Sequence, residues 1–117
     1  MTLLYLSGPY RAPTINGIYE NIQRARVLAV ELWKAGYAVL CPHLNTAFMD
    51  GDVPIEAIPD GDYEMVRRCD AVVMLPGWQT SVGATQERLI AIGNGTPVYE
   101  ISLATFDDVL RQIEEGS

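Results

Sequence analysis

Histidine, cysteine and positive charge are all scarce in this chain. It has one His, two Cys, and eight Lys and Arg against fifteen Asp and Glu, for a formal net charge of −7 over 117 residues. His43 and Cys41 on one strand end offer a metal at most two ligands, short of the three or four side chains a zinc site uses, so no metal is expected. Two cysteines among apolar neighbours make no disulfide framework; a reduced, intracellular setting is expected, with a single bridge as the alternative. The cations Arg11, Arg24, Arg26, Lys34, Arg67, Arg68, Arg88 and Arg111 are scattered. They form no basic stripe, which makes nucleic acid a poor candidate partner and leaves room for one small anion held by one or two arginines. No apolar run approaches the ~18–20 residues of a spanning helix, and the N-terminus lacks a basic region and cleavage pattern. A soluble, unexported, cytoplasmic protein without a membrane partner is expected. Neither G-x-G-x-x-G nor a Walker Lys-Ser/Thr pair occurs, which removes support for nicotinamide, flavin and nucleoside triphosphate, and no cofactor is expected. G-x-S-x-G is missing too, and Ser81 before Val82-Gly83 reads as a helix cap rather than a nucleophile.

What is present fits one domain spanning residues 1–117, with 49% hydrophobic residues and no repeat or linker. Leu3 to Leu6 reads as a buried strand stopped at Ser7-Gly8-Pro9, and residues 11 to 17 as loop. Ile22, Ala25, Ala29, Leu32 and Trp33 recur at helical steps within about Tyr19 to Lys34, and Gly36 closes that helix. A second strand runs from Tyr37 to Cys41. A long loop, with at most a short helix, fills His43 to Gly61, and a loop of that length inside a compact domain is usually functional. A short helix over Asp62 to Arg68, a strand over Asp70 to Leu75, a helix over Gly83 to about Gly93, a strand over Thr96 to Ile101 and a helix over Phe106 to Glu115 follow. Short strands alternating with helical crossovers predict a small doubly wound α/β fold, a parallel sheet of four to five strands with helices on both faces.

Ligands of such sheets bind beyond the carboxyl ends of the strands, where strand order reverses. That directs attention to Ser7-Gly8-Pro9-Tyr10-Arg11, to Pro42-His43-Leu44-Asn45, to Pro76 through Gly83, and to Ser102. Gly8 permits close backbone approach, and Arg11 has the fork to meet a phosphate or carboxylate; a tight turn with a solvated arginine reads equally well. Glu87 stands out because its three- and four-residue neighbours are Gly83, Ala84, Ile90 and Ala91, small and apolar. A carboxylate there would point into the crevice, partly held as an anion by the helix N-terminus, unless the helix bounds are misplaced and Glu87 lies on the surface. Asp62 reads first as a helix cap, and as a functional group if the chemistry needs two carboxylates, as glycosidic cleavage does. Tyr10 and Trp78 suit stacking on a planar ligand, with Trp78 equally suited to pinning the edge of the core.

Four segments together, LYLSGPYR (4–11), DYEMVRRCD (62–70), AVVMLPGW (71–78) and SVGATQE (81–87), resemble the nucleoside 2-deoxyribosyltransferase-like superfamily, over about residues 3 to 101. The similarity is greatest to its small bacterial and phage members. The resemblance implies a flavodoxin-like fold and cleavage of the N-glycosidic bond of a nucleoside or nucleotide. On it, Glu87 matches the nucleophile at the anomeric carbon, Asp62 the group that assists protonation of the leaving base, and Tyr5 the residue orienting the nucleophile. Transferases of the family carry an aspartate where this chain has Ser81; relatives that hydrolyse nucleoside 5′-monophosphates carry a serine that binds phosphate. An N-hydrolase acting on a (deoxy)nucleoside 5′-monophosphate is therefore expected, with base exchange as the alternative. Ser7, Arg11 and Ser81 would take the phosphate, Tyr10, His43 or Trp78 would flank the base, and Gly8, Pro9 and Gly83 would complete the substrate-binding set. The chain reads Glu87-Arg88-Leu89 where other relatives read E-L-G, which motivates a non-catalytic nucleotide binder as a further alternative. Relatives build sites across subunits, so a homodimer is expected.

Overall fold

A computed structural model describes residues 1–101 and 106–116; Ser102 lies outside the described residues. The elements in order are β1 (Leu3–Ser7), α1 (Ile15–Lys34), β2 (Ala38–Leu40), α2 (Pro42–Asn45), α3 (Ala57–Arg68), β3 (Ala71–Met74), a 3₁₀ turn (Trp78–Thr80), α4 (Val82–Gly93), β4 (Val98–Glu100) and α5 (Phe106–Gly116). The four strands pair in parallel in the order β2-β1-β3-β4. Because β3 returns on the other side of β1 from β2, strand order reverses between β1 and β3, and the crevice expected of such sheets opens beyond their carboxyl ends.

The strands alternate their side chains between two packed layers. Leu4, Leu6, Val39 and Val73 meet Ala25, Ala29 and Leu32 of α1 and Val109 and Ile113 of α5 on one face. Tyr5, Val72 and Met74 meet Val66 of α3 and Ala84 and Ala91 of α4 on the other. A helical layer on each face is what a wholly parallel sheet requires, since both sides of every strand must be buried. No helix among the described residues is long and apolar enough to cross a membrane.

Two helices begin earlier than their sequence patterns predict. For α1, the Thr14 side chain accepts from the Gly17 amide and starts the helix at Ile15, inside the segment expected to be loop. Trp33, counted on its apolar stripe, is 54% exposed. Its C-terminus closes as expected: Gly36 has φ 98°, and the Gly36 and Tyr37 amides reach back to Trp33 and Leu32. For α3, Pro59 and Gly61 read as breakers, yet the helix runs through them from Ala57. Pro59 is the third helical residue, whose amide has no intrahelical partner to lose. Asp62 is consequently the sixth residue of α3 and not its cap.

The turn after β1 is closely packed against the residue that follows β3. The Leu75 amide donates to the Ser7 carbonyl at 2.7 Å, and a Cβ on Gly8 would fall 2.6 Å from both Cβ and Cδ1 of Leu75. Gly8→Ala should therefore lower stability by about 1–3 kcal/mol through overpacking, read as a fall in Tm. Gly83→Ala, whose Cβ would meet nothing within 4 Å, should leave Tm unchanged or raise it.

Candidate active site

Glu87 projects from α4 toward the sheet and is 7% exposed, which removes the surface alternative. Ser81 caps this helix, its Oγ accepting from the Ala84 amide, as its sequence position predicts. Tyr5 and Ser7 are two apart on β1 and therefore share the face that α4 covers. The Tyr5 hydroxyl donates to Glu87 Oε2 at 2.9 Å, and Ser7 Oγ donates to Oε1 at 2.6 Å. Both donors are fully buried. Gly83, one turn earlier on the same helix, has open space where its side chain would be, so the carboxyl is not walled off on that side.

Asp62 lies on α3, which packs against α4, near enough to Glu87 for its charge to act on that carboxyl. Burial pushes Glu87 up to about 7; the bonds from Ser7 and Tyr5 hold it down, and the charge of Asp62 raises it further. The anion-stabilising helix terminus expected for Glu87 is outweighed: it is the sixth residue of α4, beyond the turn where the dipole acts. Burial likewise raises Asp62 to about 6. The Tyr5 phenol, buried and facing both carboxylates, is held far above its ordinary range and stays a neutral donor. Tyr63 was not singled out from sequence, yet after its burial the charge of Glu87 is the largest influence raising its phenol. Only its place beside Asp62 hinted at this.

A second group sits where the loops after β1 and β2 meet. His43, 2% exposed, donates from Nε2 to the Pro9 carbonyl at 2.8 Å, and burial lowers its pKa. It is a neutral strut under the loop after β1. Tyr10 stands edge-on to His43 at 5.9 Å, donates to Asp50 Oδ1 at 3.1 Å and accepts from the Phe48 amide at 2.9 Å. Arg11, 79% exposed at its side chain, pairs with Asp50 at 3.8 Å. The structure thus brings Tyr5, Ser7, Asp62 and Glu87 together; it joins His43 to Pro9 and Tyr10, and Tyr10 and Arg11 to Asp50, a residue that no sequence motif marked. Pro9 also touches the loop after β3, its Cγ lying 3.6 Å from where a Gly77 Cβ would be.

Trp78 is half-buried and packs against the cluster that contains Tyr5, Met74 and Ala84, the core-edge arrangement anticipated as one of its two readings. The Arg88 guanidinium lies 5.0 Å from its ring centroid, and Arg88 Nε donates to Glu100 Oε1 at 3.1 Å. A cavity of about 360 Å³ opens at the opposite, amino end of the sheet between Thr2, Asp70, Pro97, Tyr99 and Ile113, and none of the candidate residues lines it.

Residues 2–100 match a family model described as a domain of unknown function, DUF4406. The chain belongs to the DUF4406 family. No curated protein matches it. Among solved structures it is similar to a 2-deoxyribosyltransferase from Bacillus psychrosaccharolyticus, with 18% identity and a TM-score of 0.62 over 85% of this chain and 71% of that one. The DUF4406 chain therefore has the nucleoside 2-deoxyribosyltransferase-like, flavodoxin-like fold that its motifs imply. The matched DUF4406 span contains both clusters, from Tyr5 to Glu87, and the Trp78–Arg88–Glu100 contact as well.

Proposed function

We propose that the protein cleaves the N-glycosidic bond of a (deoxy)nucleoside 5′-monophosphate. Glu87 attacks C1′ as the C1′–N bond breaks, Asp62 gives its proton to the departing base, and Tyr5 holds Glu87 in place. Water then resolves the glycosyl ester, with Asp62 taking the proton from it. The observation that carries this reading is a buried carboxyl with a donor on each oxygen, beside a second raised carboxyl, at the β1/β3 reversal point. Serine rather than aspartate at position 81 favours hydrolysis, while the likeness to a 2-deoxyribosyltransferase keeps base exchange as the second reading. Incubation with a panel of ribo- and deoxyribonucleosides and their 5′-monophosphates, with and without a second base, separates them. Free base alone supports the hydrolase, a new nucleoside supports exchange, and neither product rejects both.

The two carboxyls also set the pH dependence. Turnover needs Glu87 ionised and Asp62 protonated, one proton between the pair. With Asp62 at about 6 and Glu87 at about 7, kcat/KM should be bell-shaped with its maximum between those values. Below the maximum both groups are protonated and the nucleophile is lost; above it both are ionised and the leaving base receives no proton. A rate that stays flat from pH 5 to 9 would reject the pair.

A further inference from the structure

Ser7 is expected at the phosphate of a substrate, and in the structure its hydroxyl bonds to Glu87. It is the last residue of β1, in register with Met74 of β3, and its carbonyl accepts from Leu75. Backbone bonds on this side thus fix its Cα, and the side chain is 0% exposed. Its Oγ lies 2.6 Å from Glu87 Oε1, within the ~2.5–2.7 Å of a hydroxyl donating to a charged oxygen. Among the described residues Glu87 is the one acceptor recorded for that proton.

We propose that Ser7 is a positioning residue for Glu87, fixing Oε1 against the sheet and favouring the ionised carboxyl, and not a ligand of the substrate's phosphate. The physical reason is an asymmetry between the two protonation states. While Glu87 is a carboxylate, Ser7 and Tyr5 each donate to one oxygen and both buried hydroxyl protons are satisfied. A proton placed on Oε1 leaves the fully buried Ser7 proton facing another donor, and an unsatisfied buried donor is costly. Ser7 thus counteracts the burial that would otherwise keep the nucleophile protonated. With one donor on each oxygen, the carboxylate plane is fixed relative to β1, and the remaining lone pairs are left for a reacting carbon.

The kinetic side of this inference rests on the proposed glycosidic reaction; the effect on the carboxyl does not, and the test separates them. The Glu87 carboxyl is titrated by ¹³C NMR in the free protein, without substrate. In Ser7→Ala the midpoint should rise by about one pH unit, and in Ser7→Cys, a weaker donor of similar size, by less. At pH 7 Ser7→Ala should lose about fivefold in kcat, with KM for a nucleoside and for its 5′-monophosphate changing in parallel. An unmoved midpoint overturns the proposal, as does a KM that rises for the monophosphate alone. A merely structural role would lower activity at every pH without moving the midpoint. If Ser7→Ala does not fold, Ser7→Cys decides by the same titration. If neither wild type nor variant releases base, the titration still decides the role of Ser7, and it is the glycosidic reading that fails.

Discussion

Glu87→Gln should release no base above background from any nucleotide that the wild type cleaves, while folding into a more stable protein. Glutamine keeps the shape and one acceptor but cannot form the ester with C1′, so the covalent route is closed. The gain in stability follows from linkage. The folded carboxyl titrates at about 7 against an ordinary 4.5, so the folded state binds more protons than the unfolded one between those values. Stability therefore falls as pH rises through that window, and above it the buried charge costs about 3 kcal/mol. Differential scanning calorimetry should find Glu87→Gln above wild type in Tm at pH 8, with the difference nearly gone at pH 4.5. Loss of turnover together with a raised Tm cannot be ascribed to misfolding. A fully active Glu87→Gln would remove this carboxyl from the mechanism.

Asp62→Asn should slow release of a poorly leaving base by about 10²–10⁴-fold, the usual contribution of a general acid. The loss should shrink toward nothing for a substrate whose base departs without protonation. The same substitution leaves Glu87 as the one titrating group of the pair, so the alkaline limb of the pH profile should vanish and only the acid limb, set by Glu87, should remain. Rates for a series of substrates graded by the basicity of the leaving group check both points. Equal slowing across the series would mean that Asp62 does not deliver the proton.

Glu87 was legible because a lone carboxylate among Gly83, Ala84, Ile90 and Ala91 on a helix has nowhere to go but inward. The doubly wound sheet was legible from short apolar runs such as AVVML alternating with helical periods. The start of α3 was not, because Pro59 and Gly61 look like breakers until the first-turn rule is applied to a helix whose beginning is unknown. That misplacement made a cap of Asp62. The bond from Ser7 to Glu87 was not legible for a different reason: the two lie 80 residues apart in sequence, and a serine beside a glycine-containing turn carries no mark of a distant carboxylate. The pairing of Arg11 with Asp50 was not legible because Asp50 sits in a segment without periodicity. The Glu87 pKa runs against the sequence argument because the helix terminus could be inferred from local pattern, whereas the depth of burial depends on how α3 and α4 close over β1.

The stereochemistry of transfer to methanol tests the central claim most directly. Methanol competes with water for the glycosyl group and yields a methyl glycoside whose anomeric configuration is stable enough to read by NMR. A glycosyl ester on Glu87, formed and broken by two displacements, predicts the β-anomer, the configuration of the starting nucleotide. The α-anomer would mean a single displacement by the acceptor, and would contradict Glu87 as the nucleophile.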